Sequence, residues 1–415
     1  MTTASASLRE PLRFLRCKGT AFSSDTQTHA PLGPSLLSFF KQATKKSPVS
    51  FGRFKHSSYI CSMEPQNGKP RLRWIDTAKG ICILLVILYH TTEHIMDLSP
   101  ALRDMLRATR MPLYYTIAGL FVSVKHPGLF INKKVNRLLI PFCFFMLLGN
   151  AAAYLKSMAE GTDFAYYSPL YYILTEDIDG HFFNSPIWFL FSLFDMYLFF
   201  MVIDRVARRC GAYQIPVKIG LGLLAGFCGI RCNRIGIDLP LFIDSTLTAT
   251  PFFIFGHLIM HETAILKNDT NRYASLAASL AFIGMALLIA NGNIDYRINN
   301  IRASVFHTYV PGFLGVTGLL LLSKAIGSIP VVTLIGRYSI VYLGTHYLFF
   351  RDLRVFFETH LSPHQLLLVD WSIFVSTVLL CMASCWVLLR TVPFLIAQKD
   401  ILFIGDINRL NPGSR

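Results

Sequence analysis

Apolar segments of nearly membrane-spanning length recur along this chain from Ala78 to Leu395, separated by short gaps. A helix needs about 20 mostly apolar residues to cross the hydrocarbon core of a bilayer. We therefore predict an all-helical fold, a polytopic bundle of about ten transmembrane helices. The segments lie approximately over residues 76–95, 110–125, 135–156, 185–204, 215–231, 240–261, 273–291, 305–326, 333–351 and 367–391.

The charged residues support this assignment and orient the bundle. Only 15% of the residues are charged, against roughly a quarter in soluble domains. Alternate loops are rich in Lys and Arg, which predicts that both termini are cytoplasmic. The basic residues on that side are Lys69, Arg71, Arg73, Lys125, Lys133, Lys134, Arg137, Arg205, Arg208, Arg209, Lys218, Lys267 and Arg272. The first outer loop opposes the rule with Arg103, Arg107 and Arg110, so the rule holds only on balance.

The net charge of +15 does not indicate a nucleic-acid-binding protein. Nine of the Lys and Arg residues lie in the first 62 positions, and the others cluster at the ends of the apolar segments. Membrane topology and contact with the bilayer surface explain such a distribution. We expect the lipid bilayer as a partner and no nucleic acid.

The chain divides into three parts by composition. Residues 1–62 are rich in Ser, Lys and Arg, with Glu10 and Asp25 as their acids, and we predict a disordered or mis-called N-terminal extension. Residues 63–395 form one predicted membrane domain, and residues 396–415 a short cytoplasmic tail. Because that tail is short, we expect the chemistry to lie in the membrane bundle.

The sequence offers little for a metal site or a disulfide scaffold. The nine cysteines fall mostly within apolar segments, without a paired framework outside the membrane. His257, His261 and Glu262 have helical spacing, but the His-Glu-x-x-His order of zinc proteases is absent. We expect no bound metal.

The first apolar segment carries ionisable residues on one face of a predicted helix. At 100° per residue, one stripe contains Asp76, Lys79, Ile83, Val86, His90 and His94. Lys79 and His90 lie about 16 Å apart along it. Ionisable side chains in hydrocarbon are costly and indicate a functional site by default. We expect this stripe to face the interior of the bundle.

His90 is the candidate base, because imidazole titrates near neutrality and can take a proton from an attacking hydroxyl. Glu93 and His94 follow three and four residues later, close enough on a continuous helix to orient His90. The alternative is a polar cluster at a helix end that meets headgroups or water. Lys79 is too distant to act on the same atom. It can pair with Asp76, extend to the interface, or bind the phosphates of a long ligand.

Several motifs resemble the membrane acyltransferase-3 family of polytopic O-acyltransferases. Trp74–His90 resembles the opening helix of that family, and Arg110–Phe121 resembles its second helix with Pro and Gly. Lys134–Pro141 is similar to the basic loop and proline that open the third. Later similarities are Pro186–Leu190, Pro251–Gly256 and Gly336–His346. Together they cover roughly residues 71–395 in the family's order and spacing.

The resemblance implies a function and a set of site residues. The first helix of the family carries Arg, ten residues, then His, and Lys79 and His90 occupy these positions. Lys79 keeps the charge and lacks the bidentate fork of Arg. Lys134 and Arg137 match the family's basic pair. The implied activity is transfer of an acyl group, acetyl first among them, from acyl-CoA to a hydroxyl of a sugar or glycan in a bacterial inner membrane.

The roles follow from this resemblance. Lys79, Lys134 and Arg137 would bind the phosphates of acyl-CoA, which is a co-substrate and the only cofactor-like molecule expected. His90 would act as general base, with Glu93 as a second catalytic residue; a transient acyl-histidine is a variant of this mechanism. Asp76 and His94 also belong to the predicted substrate-binding set. The oligomeric state stays open.

Two aromatic residues have alternative interpretations. Trp188 is predicted as a wall of the substrate site, and the alternative is an interfacial anchor. His346 is predicted at the substrate site, and the alternative is an interhelical histidine with satisfied hydrogen bonds.

Two other functional classes compete with the enzyme. In a transporter or flippase, the intramembrane His, Lys and Asp would form a proton relay. An assembly protein without catalysis would tolerate the loss of both Lys79 and His90.

Overall fold

The computed structural model describes residues 72–164, 171, 184–263, 266, 271–361 and 364–402. The predicted extension 1–62 lies outside these residues. Within them the helices are α1 (Arg73–Thr91), α2 (Glu93–Leu98), α3 (Pro100–Leu120), α4 (Pro127–Lys134), α5 (Ile140–Glu160), α6 (Trp188–Arg209), α7 (Gln214–Arg234), α8 (Ile243–Glu262), α9 (Arg272–Ile289), α10 (Val305–Ile326), α11 (Pro330–Arg337), α12 (Ser339–His360) and α13 (Leu366–Thr391). The all-helical fold class is confirmed.

Eight helical stretches in the described part are long and apolar enough to cross a membrane. They are α1, α4 and α5 together, α6 to α10, and α13. Two more helices, α3 and α12, have 21 and 22 residues but carry more charged side chains. The number of helices that cross a bilayer and the side on which the termini lie stay predictions.

Helix α3 begins earlier than predicted. The sequence suggested a segment from residue 110, with three arginines in a preceding loop. In the structure the helix begins at Pro100. Proline is well tolerated in the first turn of a helix, because an N–H group there would have no hydrogen-bond partner within the helix. The three arginines therefore lie on the helix itself, one helical turn apart.

A π-helical turn joins α4 to α5 and is held by the far end of the chain. This turn covers Val135–Leu139. The Oδ1 atom of Asn136 accepts hydrogen bonds from the backbone N–H groups of Ile401 and Leu402, at 2.8 and 2.9 Å. Its Nδ2 donates to the carbonyl of Leu402 at 2.9 Å. The segment after α13 therefore fixes the turn that carries Arg137.

Helix α1 is central in the bundle, where it contacts α3, α10, α11, α12 and α13. Glycines allow the closest of these contacts. A Cβ atom on Gly80 would lie 2.0 Å from the carbonyl oxygen of Val332, and one on Gly336 would lie 1.9 Å from that of Asp76. Helix α11 thus packs backbone to backbone on the start of α1, as small residues permit between membrane helices.

The helix that carries His90 is interrupted directly after it. Thr92 has φ −115° and ψ 64°, which ends α1, and the short helix α2 follows. The carboxylate of Asp370, on α13, accepts a hydrogen bond from the N–H of Ile95 at 2.8 Å and so caps α2. The predicted stripe is therefore broken between His90 and His94.

A small hairpin between α9 and α10 was not predicted. Strands β1 (Ile294–Asp295) and β2 (Asn300–Ile301) pair in antiparallel fashion. Asn299 is fully buried and has a φ of 48°. Its side chain accepts from Thr248 Oγ1 and donates to the carbonyl of Gly229, both at 2.8 Å. These bonds fix the hairpin to α7 and α8 and orient Arg297 at its turn.

Candidate functional site

His90 lies in the last turn of α1, and residues of α12 pack beside its ring. Its ring centroid is 5.6 Å from that of His346, 6.0 Å from Tyr347 and 6.2 Å from Phe350. His90 itself is half-buried. Two histidines from different helices thus lie side by side, and one of them retains access from outside the core.

His346 is completely buried and has one nitrogen in use. Its Nδ1 lies 2.9 Å from the carbonyl oxygen of Tyr342, one turn earlier on α12. Because a carbonyl only accepts, Nδ1 carries the proton. The buried Nε2 has no hydrogen-bond partner among the described residues.

Two arginines bring positive charge to His90. The guanidinium groups of Arg110, on α3, and Arg297, in the hairpin, both act electrostatically on the His90 ring. Arg297 donates from Nη1 to Ser185 Oγ at 2.9 Å, and its Nη2 is 3.7 Å from Asp295.

Arg110 is held by an aromatic ring. Its Cζ lies 3.5 Å from the ring centroid of Tyr89, and Arg107 donates from Nε to the hydroxyl of Tyr89 at 2.7 Å. The Nη1 atom of Arg110 is buried and has no hydrogen-bond partner in the described part of the chain. This leaves a cationic N–H group available to an anionic atom near His90.

Sequence reasoning missed both arginines, for different reasons. Arg110 was placed at the end of an outer loop, although its spacing from Arg103 and Arg107 follows the helical period. Arg297 lies in a short loop whose sequence carries no signal that it folds back against the bundle.

Glu93 and His94 each contact a partner other than His90. Glu93 is exposed, and its Oε2 lies 2.9 Å from Nη1 of Arg354 on α12. The Nδ1 atom of His94 lies 2.9 Å from the buried carboxylate of Asp370. The interruption at Thr92 is the physical reason, because spacings of three and four residues bring side chains together only on a continuous helix.

The predicted basic residues come together around Lys134. Its ammonium lies 3.2 Å from the ring centroid of Tyr197 and 5.3 Å from that of Phe130. The charges of Lys79, Lys133 and Arg137 act on it. We call Lys79, Lys134 and Arg137 the basic cluster. It draws on α1, α4 and the π turn, which lie far apart in the sequence.

Asp76 and Trp188 are both buried, at 7% and 5% exposure. Asp76 lies where α11 packs on α1. Trp188 contacts Phe242, with ring centroids 5.8 Å apart. It is the first residue of α6 and follows Ser185, whose hydroxyl accepts the hydrogen bond from Arg297. Their predicted roles in substrate binding stay predictions.

Of the three residues considered for a metal, His257 lies in another polar network. His257 Nε2 is 3.1 Å from the ammonium of Lys218, which also pairs with Asp204 at 2.9 Å. Within the described residues, no group of three or more His, Cys, Asp or Glu side chains is arranged to hold a metal ion.

The site therefore has two parts along α1. The basic cluster lies at the Lys79 end, and the two histidines and two arginines lie at the His90 end, about 16 Å further along the helix.

The sequence and the fold were also compared with known proteins. The chain matches neither a curated protein nor a solved structure. The model of the acyltransferase-3 family, described as an acyltransferase domain, matches residues 72–390 and thus spans both parts of the site. The chain belongs to this family of membrane acyltransferases.

Proposed function

We propose that this protein transfers an acyl group, with acetyl as the simplest case, from acyl-CoA to a hydroxyl of a sugar or cell-surface glycan. His90 is the general base, and the reaction takes place in the plasma membrane of a bacterium. The observation behind the proposal is the separation of the basic cluster from His90 along α1. Acyl-CoA has the same division, with phosphates remote from its thioester.

The basic cluster is suited to the phosphates of the donor. Lys79, Lys134 and Arg137 bring three positive charges together from separate elements. Hydrogen bonds from cationic groups to phosphate oxygens are among the strongest in proteins, and Arg137 can form two in parallel. The predicted cytoplasmic side of this cluster agrees with the location of acyl-CoA in the cell.

At the other end, His90 takes the proton from the acceptor hydroxyl while the oxygen attacks the thioester carbonyl. The carbon–oxygen bond forms, and the carbonyl oxygen becomes an oxyanion. When the carbon–sulfur bond breaks, protonated His90 donates this proton to the CoA thiolate. The products are an ester and free CoA, and His90 is again neutral.

The arginines support the charged intermediate. The free Nη1–H group of Arg110 and the charge of Arg297 lie close to His90, where the oxyanion develops. Fixed donors in a water-poor site stabilise such a charge at little reorganisation cost. The rings of Tyr347 and Phe350 offer flat surfaces beside His90 against which a sugar can pack.

The test is acyl transfer by the purified full chain in lipid nanodiscs, supplied with acetyl-CoA and a glycan extract. Release of free CoA thiol and formation of the acyl ester are measured together. We expect His90→Ala to lower turnover about 10²- to 10⁴-fold. The matched control is His360→Ala, an exposed histidine at the end of α12, which should leave turnover unchanged.

Near-normal turnover by His90→Ala would contradict the role of His90. Gradient-driven uptake of a solute without loss of thioester would instead favour a transporter that uses the same ionisable residues. Mass analysis of glycans from cells with the wild-type chain, with His90→Ala, or without the protein identifies the acceptor.

A further inference from the structure

His346 combines three properties that a packing residue does not need. Its side chain is completely buried, its Nδ1 is engaged by its own helix, and its Nε2 is unpaired within the described residues. A buried polar atom without a partner costs free energy, on the order of 1–3 kcal/mol. Such a cost at a site next to His90 requires an explanation.

The hydrogen bond at Nδ1 determines what Nε2 can do. The carbonyl of Tyr342 accepts a hydrogen bond from the Nδ1–H group, so the neutral ring has its lone pair at Nε2. Protonation of Nε2 would place a positive charge on a completely buried ring, which burial disfavours. His346 is therefore a neutral hydrogen-bond acceptor in a fixed tautomer.

The nearest ring that can supply a donor is His90. The two ring centroids are 5.6 Å apart and the planes are inclined by 39°. In a histidine, Nε2 lies at the end of the ring remote from the backbone, so it projects from α12 toward its neighbours. Rotation about χ2 of a histidine meets only a broad, shallow barrier. A turn of the half-buried His90 ring can direct one of its nitrogens at Nε2.

We propose that His346 is a positioning residue, whose Nε2 accepts a hydrogen bond from a ring N–H of His90 during acyl transfer. This inference rests on the proposed function. The bond leaves the other nitrogen of His90 unprotonated and directed at the acceptor hydroxyl. It also stabilises the imidazolium that forms when His90 takes the hydroxyl proton. No proton passes to His346, and the proton on His90 leaves with the CoA thiolate.

In many catalytic sites a carboxylate accepts a hydrogen bond from the catalytic histidine and orients its ring. Here the neutral imidazole of His346 would have this function. Two carboxylates in this region already have cationic partners: Glu93 is paired with Arg354, and Asp295 lies beside Arg297. A neutral acceptor also suits its surroundings, because a buried carboxylate would pair with Arg110 and remove the positive charge that the oxyanion needs.

Two substitutions separate the acceptor from the rest of the side chain. In His346→Gln, the amide oxygen can occupy the position of Nε2 and accept from His90. In His346→Asn, the shorter amide can reach the position of Nδ1 but offers nothing at Nε2. We expect His346→Asn to lower kcat about 10- to 100-fold with little change in KM. His346→Gln should retain kcat within about threefold of wild type.

His360→Asn is the matched control, because it makes the same change at an exposed site on the same helix. Thermal unfolding in nanodiscs shows which variants are folded. Wild-type kcat in a folded His346→Asn overturns the proposal. Equal losses in the Asn and Gln variants, or losses that follow the folded fraction, overturn it too, because they indicate packing and not an acceptor.

The same experiment distinguishes this inference from the proposed function. If the wild type releases no CoA, or if His90→Ala retains turnover, the proposed function fails. If His90→Ala is inactive while His346→Asn is unimpaired, acyl transfer by His90 holds and only the role of His346 fails.

Discussion

Lys134 places its ammonium group 3.2 Å from the centre of the Tyr197 ring. A cation over an aromatic face is attracted by about 1–2 kcal/mol when partly desolvated. This contact joins the end of α4 to α6 and holds the lysine beside Lys79 and Arg137. Tyr197 therefore helps to hold the basic cluster in place, although its side chain adds no positive charge.

Tyr197→Leu should weaken donor binding because it removes the aromatic face under Lys134. We expect KM for acyl-CoA to rise about 5- to 30-fold, which corresponds to the loss of that contact. Tyr197→Phe keeps the face and should stay within about twofold of wild type. The measurement is KM for acyl-CoA at saturating acceptor, and an unchanged KM in the Leu variant would show that the contact does not serve the donor.

Arg110→Gln should slow the chemical step. The substitution removes the cationic N–H group next to His90, and loss of one oxyanion donor costs about 10²- to 10³-fold in kcat. Donor binding depends on the basic cluster at the other end of α1, so KM for acyl-CoA should hardly change. The control is Arg103→Gln, since Arg103 pairs with the largely exposed Asp97 at 3.2 Å. Equal effects of the two substitutions would argue against a role at the oxyanion.

Asp370→Asn should destabilise the region that follows His90. The carboxylate is fully buried, caps α2 through Ile95 and contacts His94. Replacing it by an amide weakens charge-assisted bonds in a buried place, at about 1–3 kcal/mol. Denaturant unfolding in micelles measures this loss. Asp352→Asn breaks an exposed pair with Lys156 and should cost less than about 1 kcal/mol.

Gly336→Ala should disrupt the contact between α11 and α1. The added methyl group would lie 1.9 Å from the carbonyl oxygen of Asp76. The two backbones must separate, and overpacking of this kind costs about 1–3 kcal/mol or more. Gly284→Ala is the control, because a Cβ there meets open space within 4 Å, and alanine favours the helix. The unfolding midpoint should fall for the first variant and hold or rise for the second.

The sequence predicts the parts of this molecule that depend on a regular period. Apolar segments of spanning length require helices in a bilayer, and the helical period brings Asp76, Ile83 and Val86 to the buried face of α1. Loop charges and the family motif also single out Lys79, Lys134 and Arg137, and their role in binding the donor stays a prediction.

The remaining features depend on interruptions of that period or on distant contacts. No residue type at Thr92 signals a helix end, and the cap on α2 comes from Asp370, far along the chain. Glu93 was therefore predicted on a helix that has already ended. The hairpin strands have two residues each, too few for an alternating pattern, so the position of Arg297 had no local signal.

The hydrogen bonds between Asn136 and the segment after α13 affect the order in which parts of the protein fold during synthesis. Asn136 is 1% exposed, and its amide is satisfied by residues 401 and 402. During synthesis the π turn leaves the ribosome long before these partners do, because residues 401 and 402 lie more than 260 positions later in the sequence. The turn that carries Arg137 is thus among the last parts to reach its final structure, and a chain shortened before Ile401 would leave it unfinished.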